Sequence, residues 1–269
     1  MLRSRIIPCL LIEDGGLVKT QVFDNPKYVG DPINAVKIFN EKEADELIVL
    51  DISATKSLSS PNFDLIKKLA AECRMPLCYG GGINSVEQAI QLIDMGVEKV
   101  AVSSAAIARP ILIREMVDAL GSQSVVIILD FLKKKNLFST QYKLCSHNGK
   151  KFYNEDPFLF LKKCQEAGAG EIVINSVDND GLMNGYDLNL ALELKPVAKI
   201  PITFLGGAGS LDHIEELIEN FGTVGAAAGS LFVFKGKYRA VLINYPTLAE
   251  KIEICSKAMN VYNHNSEKI

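Results

Sequence analysis

The chain has no tryptophan and three histidines among 269 residues, and none of its apolar stretches approaches the ~18 residues of a membrane-spanning helix. From Met1 the sequence reaches Glu13 and Asp14 before any apolar run long enough for a secretory leader. These absences give the reading of a cytoplasmic protein with no membrane association. His147, His213 and His264 fall in an expected loop, an amphipathic helix and the tail, at no metal-ligand spacing. All three are read as surface residues, and no metal or cofactor is implied. Cys9, Cys73, Cys78, Cys145, Cys164 and Cys255 form no CxxC pair and are read as thiols in the core or at the surface, not as ligands. The formal net charge of -3, with lysine and arginine scattered, provides no basic stripe to compensate a nucleic-acid backbone.

What the sequence does contain is enough apolar material, 48% of residues, for one large core. Short apolar runs alternate with helical patterns throughout, the signature of a parallel sheet covered by helices. Eight strands are expected: Arg5 to Leu11, Glu46 to Ile52, Pro76 to Gly80, Lys99 to Val102, Ser124 to Asp130, Glu171 to Asn175, Ile200 to Leu205 and Gly225 to Ala228. Asn84-Ser85-Val86-Glu87 has the form of a capping box, Gly96 ends that helix, and Pro32, Pro110 and Pro157 suit first helical turns. No linker divides the series, so residues 1–258 are read as one domain. Residues 259–269 are read as a frayed tail, polar from Val261 on.

Tyr79-Gly80-Gly81-Gly82 recurs as Leu205-Gly206-Gly207-Ala208, and Val102-Ser103-Ser104 recurs as Ala228-Gly229-Ser230, both at an offset of 126 residues. Two recurrences at one offset imply two four-unit halves, and an eightfold parallel series of that kind closes as a (β/α)8 barrel with internal half-barrel symmetry. Glycines at strand ends let backbone N–H groups approach an anion, and a following helix start favours negative charge. Gly206, Gly207, Gly229 and Ser230 are the best candidates to bind phosphate, at the ends of the last two strands. A bland reading, in which glycines merely end strands, serves for one pair and serves less well for two symmetric pairs. Two such sites imply a substrate carrying a phosphate at each end.

Active sites of these barrels gather at the C-terminal ends of strands. Asp130 closes the run Val125 to Leu129, Asp51 closes the second strand, and Asp178 and Asp180 follow the sixth. Asp180-Gly181 reads equally as a plain turn. The first strand, Ile6 to Ile12, carries no carboxylate where the half-symmetry would place a partner for Asp130. That place is Leu11, which can neither give nor take a proton in acid/base chemistry. Lys19, in an expected long loop from Glu13 to Asp31, is either a lysine that folds over a bound phosphate or a solvated loop residue.

From Arg5 to about Phe234 the sequence resembles the cyclase subunit family of imidazole glycerol phosphate synthase. The family joins ammonia to a bis-phosphorylated nucleotide-derived substrate in histidine biosynthesis. The likeness is carried by Arg5-Ile6-Ile7-Pro8-Cys9-Leu10, Gly30-Asp31-Pro32, Leu50-Asp51-Ile52, Gly80-Gly81-Gly82-Ile83, Gly121-Ser122-Gln123, Gly168-Ala169-Gly170-Glu171, Asp178-Asn179-Asp180-Gly181 and Gly206-Gly207-Ala208-Gly209. The resemblance makes Asp130 a catalytic aspartate, Asp180 an active-site acid and Lys19 the mobile-loop lysine. It assigns Gly82, Ser104, Gly207 and Ser230 to the two phosphate sites.

Leu11 stands at the family's other catalytic aspartate, Ser103 at its usual asparagine and Leu205 at its usual serine. Arg5, Glu46, Lys99 and Glu171 each open an apolar strand. In an arbitrary barrel they would be a stabilising charge ring; by resemblance they are the gate through which ammonia enters from a glutaminase docked on the N-terminal barrel face. A retained gate with one acid missing is similar to the paralogous branch associated with surface-polysaccharide synthesis, as is the stretch Phe234 to Pro246. That branch implies ammonia supply to a sugar amidotransferase in lipopolysaccharide or O-antigen synthesis. Three alternatives remain open: a working cyclase (lyase) of histidine biosynthesis; a bis-phosphate aminoaldose-ketose isomerase, against which Leu11 also argues; and a purely structural role.

Overall fold

The computed structural model describes residues 3–54, 56–57, 59–135, 140–236 and 238–266. Eight parallel strands form the barrel: β1 (Arg5–Glu13), β2 (Leu47–Asp51), β3 (Leu77–Gly80), β4 (Lys99–Val102), β5 (Val125–Lys135), β6 (Glu171–Ser176), β7 (Ile202–Leu205) and β8 (Gly225–Ala228). Each pairs with its neighbours in order, and β8 returns to β1 with Arg5 opposite Gly225 and Pro8 opposite Ala228. The chain is therefore a closed (β/α)8, or TIM, barrel. Eight principal helices accompany the strands: α1 (Pro32–Glu41), α2 (Phe63–Glu72), α3 (Val86–Asp94), α4 (Ile111–Leu120), α5 (Pro157–Glu166), α6 (Leu188–Leu194), α7 (Leu211–Phe221) and α8 (Leu248–Ser266).

Side chains alternate along a strand, so one set faces the helices and the other fills the barrel. The outward set and the helices share one cluster, which includes Ile6, Leu10, Phe39, Ile127 and Ile172. Ile7, Cys9, Ile48, Cys78, Ala101, Val126, Ile128, Val173, Leu205 and Ala227 form a separate interior column, with Leu11 and Leu50 packed on it. The register stacks this column in layers: Glu171 lies opposite Val126, Val173 opposite Ile128, and Asn175 opposite Asp130. One inner face of β6 thus carries a charge at its start, hydrocarbon in its middle and an amide at its end.

Helix boundaries follow local chemistry. The Ser85 hydroxyl accepts from the Gln88 N–H and caps α3, and Asp31 accepts from the Asn34 N–H with Pro32 in the first turn of α1. Pro157 likewise opens α5, whereas Pro110 occupies the cap position before α4.

The structure corrects several expectations. The segment from Glu13 to Asp31 is not a loop: Gly16–Gln21 runs back along β1, with Val18 opposite Leu11, and Asp24–Gly30 completes a hairpin. β5 continues past Asp130 into an arm that pairs with Thr140–Ser146. The expected frayed tail is helical over residues 259–266, because α8 packs Ile254, Cys255 and Ala258 into the core; residues 267–269 lie outside the described residues. His147 and His213 are partly buried, and only His264 is exposed. The Gly209 N–H donates to His213 Nδ1 at 3.1 Å, which ties the start of α7 to the glycine turn before it. Among the described residues no helix is long and apolar enough to cross a membrane.

Candidate active site

At the C-terminal ends of the strands a cavity of about 440 Å³ opens, bounded by both glycine turns. In the first half-site β3 ends at Gly80, with Gly81 at φ +125° and Gly82 at φ +73°; in the second, β7 runs into Gly206 at φ +96° and Gly207 at φ +108°. The Gly81 and Gly207 conformations match across the repeat, and neither tolerates a side chain: a Cβ at Gly207 would lie 2.0 Å from the Gly185 carbonyl oxygen. Short helices begin at Ser104 and Ser230, and neither has a side-chain cap at its first N–H groups. Gly82, Ser104, Gly206, Gly207, Gly229 and Ser230 all line the one cavity.

Lys19 enters the second half-site from the hairpin and is 6% exposed. Its ammonium donates to the Cys9 carbonyl at 2.6 Å. Burial lowers the Lys19 pKa from its ordinary value, against the opposing pull of Cys9 and Asp180. The hairpin is held over the mouth by Asp180, whose Oδ2 accepts from the Thr20 hydroxyl at 2.8 Å and from the Phe23 N–H at 3.2 Å. Gly181 permits that approach, since a Cβ there would meet the Thr20 carbonyl oxygen at 2.1 Å. The Asp180-Gly181 turn therefore does more than reverse the chain: it docks the hairpin.

Asp130 closes the column from β5 and is partly exposed, into the cavity. Burial pushes its carboxyl up to about 7, helped by the nearby Asp180 and opposed by a hydrogen bond from Asn175. That bond runs from Asn175 Nδ2 to Asp130 Oδ1 at 3.0 Å. The Asp180 carboxyl is also raised by burial, with Thr20, Phe23 and Lys19 opposing the shift. Asp51 and Asp178 are engaged in structure. Asp51 Oδ1 accepts from Ser53 N–H, Ser53 Oγ and Ala54 N–H, and Asp178 Oδ2 accepts from the Lys133 N–H at 2.6 Å.

Leu11 sits at the cavity floor opposite Leu50 on β2 and Val18 on the hairpin, with Leu205 and Ile128 completing a hydrocarbon surface. Asp180 is the acid whose field reaches Asp130; the β1 position itself is hydrocarbon. The sequence reading did not single out Asn175. An amide ending an apolar strand beside a buried acid was its only available signal.

At the opposite pole Arg5, Glu46, Lys99 and Glu171 form a closed ring. Glu46 pairs with Arg5 and lies 2.8 Å from Lys99, while Glu171 lies 2.7 Å from Arg5 and 2.9 Å from Lys99. Each anion bridges both cations, which satisfies charges that would otherwise be costly to bury. Thr203 adds a hydrogen bond to Glu171. Burial is the largest single influence on Glu171 and acts to raise its pKa, but the contacts with Arg5, Lys99 and Thr203 together outweigh it and lower the value; likewise the two anions raise the pKa of Arg5 and of Lys99 despite desolvation.

Fold and mouth together define a half-symmetric barrel with two matched glycine turns, a perturbed acid at one pole and a charge ring at the other. The chain belongs to the histidine biosynthesis protein family, whose characteristic sequence matches residues 5–239. It is 55% identical over 251 residues to a protein of Leptospira borgpetersenii, covering 93% of this chain and 98% of that one; the relative bears the provisional name imidazole glycerol phosphate synthase subunit HisF. A Vibrio vulnificus protein provisionally named imidazole glycerol phosphate synthase subunit hisF3 is 54% identical, covering 93% and 96% of the two chains. The imidazole glycerol phosphate synthase subunit HisF of Streptococcus mutans is 38% identical over 232 residues, covering 86% of this chain and 91% of that protein.

Proposed function

We propose that the chain is a cyclase-type synthase subunit of a glutamine amidotransferase complex, taking ammonia from a glutaminase docked on the N-terminal barrel face. We further infer that its branch serves amidation of a sugar in lipopolysaccharide or O-antigen synthesis, with a sugar amidotransferase as an additional partner. The single observation that carries this reading is Leu11 at the cavity floor, across from an acid whose environment is otherwise prepared. In this reading the Arg5, Glu46, Lys99, Glu171 ring admits ammonia and the apolar column conducts it. The two glycine-lined half-sites and Lys19 hold a phosphorylated small molecule. Asp130 and Asp180 remain the acids able to exchange protons there, without the partner that a full acid/base pair requires.

The test is to purify the chain with its glutaminase and supply the bis-phosphorylated substrate of the histidine-pathway cyclase. Slow conversion is expected, and Leu11→Asp is expected to raise the rate by ~10²-fold or more. Conversion at the normal cyclase rate by the unmodified chain would overturn the sugar-amidation reading.

One observation favours a second reading, a working cyclase in histidine biosynthesis. Burial raises the Asp130 pKa and Asp180 adds to that shift, and two interacting acids can divide the acid and base roles between them. Under that reading Leu11→Asp brings no gain and Asp180→Asn abolishes turnover.

A further inference from the structure

The two antiparallel excursions at the mouth repeat one another. β1 pairs with β8 as far as Pro8 opposite Ala228, and three residues later Leu11 pairs with Val18 of the hairpin. β5 pairs with β4 as far as Ile127 opposite Val102, and three residues later Asp130 pairs with Cys145 of the arm. The other edge of each strand is already taken, by Leu50 at Leu11 and by Asn175 at Asp130. Each excursion therefore stands over the end of the preceding strand: the hairpin over Gly229 and Ser230, the arm over Ser103 and Ser104.

The hairpin brings a cation to its half-site, since Lys19 follows Val18 and its Nζ reaches Gly229. The equivalent residue of the arm, following Cys145, is Ser146, which is 1% exposed and uncharged. Ser146 Oγ lies 2.8 Å from His147 Nδ1 and 2.9 Å from the Tyr153 hydroxyl. Whichever way those hydrogens run, Nδ1 is occupied, and Nε2 is the ring nitrogen left for a ligand. His147, Asn148 and Gly149 turn the chain at φ +53°, +57° and +73°, a conformation that costs a side chain energy. Ser146, His147, Asn148 and Lys151 all line the cavity together with Gly82 and Ser104.

The arm also concentrates positive charge. Residues 131–154 hold six lysines and no aspartate or glutamate, in a chain of net charge -3. Lys133 pairs with Asp187 at 2.7 Å, whereas Lys134, Lys143, Lys150 and Lys151 form no ion pair among the described residues. Lys151 lies opposite Ser146 in the strand register, with its ammonium 5.3 Å from the Tyr153 ring centroid. Uncompensated charge beside the first half-site draws an anion to it.

We propose that His147 and Lys151 are the cationic element of the first half-site, as Lys19 is of the second, and that they bind a phosphate group of the ligand. His147 Nε2–H donates to a phosphate oxygen, and the Lys151 ammonium supplies charge from the rim. The neutral ring offers that hydrogen when Ser146 donates to Nδ1, and the protonated ring offers it when Nδ1 donates to Ser146. No bond is made or broken in this binding step. The assignment rests on the phosphate-binding reading of the glycine turns. It adds the feature by which the barrel tells the two ends of a ligand apart, an imidazole at one and a buried lysine at the other.

The test uses the isolated full chain and inorganic phosphate at constant pH, with sodium chloride at equal ionic strength as the control. NMR follows the His147 ring, the Gly82 amide of the first half-site and the Gly207 amide of the second. Phosphate is expected to shift the His147 ring and the Gly82 amide along one saturation curve, and chloride to shift neither. His147→Asn, whose side chain suits the left-handed turn, is expected to weaken phosphate at Gly82 about tenfold and to leave Gly207 unchanged. Lys19→Met is expected to do the reverse.

A His147 ring that ignores phosphate while Gly82 responds, or a response to chloride as large as that to phosphate, would overturn the proposal. So would an unchanged Gly82 response in His147→Asn. The ring measurement uses the unmodified chain, so it decides the matter even if the variant does not fold. A phosphate response at Gly82 and Gly207 without His147 would remove this assignment and leave the two half-sites standing. No response at either glycine would remove the half-sites themselves and the assignment with them.

Discussion

A Cβ built on Gly229 would stand 2.5 Å from the Nζ of Lys19 and 3.2 Å from the Cys9 carbonyl oxygen that Lys19 contacts. The glycine and the lysine thus fit each other: the ammonium rests where any other residue at 229 would put its side chain. Gly229→Ala is expected to displace the flexible end of Lys19 with little change in thermal stability. Calorimetry with inorganic phosphate should then show binding about tenfold weaker, as for loss of a charge-assisted hydrogen bond. Unchanged affinity would place phosphate away from Lys19.

Asp130 gives a prediction in pH. Its carboxyl is raised by burial to about 7 from an ordinary value of 3.8. Between those values the folded chain retains a proton that the unfolded chain has released, so this group's contribution to stability falls as pH rises through the window. Asp130→Asn removes that loss. Its advantage in unfolding free energy over the unmodified chain, measured by denaturant unfolding, is expected to grow from about pH 4.5 to about pH 7.5, by up to about 1 kcal/mol per pH unit. A constant difference across that range would show that Asp130 is ordinarily solvated.

The charge ring is expected to be costly to break. Lys99 is shared by Glu46 and Glu171, and Glu46 is only 3% exposed. Lys99→Met leaves both carboxylates dependent on Arg5, and denaturant unfolding should register a loss of about 3 kcal/mol. A loss within a few tenths would mean that water reaches the ring and screens it.

The eight strands were legible in the sequence because each is buried on both faces, so its composition is set by the barrel alone. The two glycine turns were legible for a different reason: Gly81 and Gly207 adopt positive φ, which a side chain disfavours, so the requirement is written directly in residue type. The hairpin over the mouth was not legible. Its outer strand, Asp24–Gly30, is mostly exposed and includes Pro26, so it has no alternating pattern to read, and it is held by Asp180 from the far end of the chain.

The burial of Lys19 was hidden for the same reason, since a lysine declares nothing about its depth. Asn175 was hidden because its meaning depends on Asp130, 45 residues earlier, and no local spacing encodes that pair.

Tyr245 joins three distant parts of the molecule. Its hydroxyl donates to the Ile6 carbonyl at 2.7 Å and accepts from the Asp45 N–H at 3.1 Å, and nearby Lys251 reaches Asp45 at 2.8 Å. The start of β1 and the segment leading into β2 are tied together by residues that follow β8. During synthesis, then, a nascent chain that has emerged through Ala228 holds every stave of the barrel but still lacks the Tyr245 and Lys251 ties, which form only once the last segments have left the ribosome.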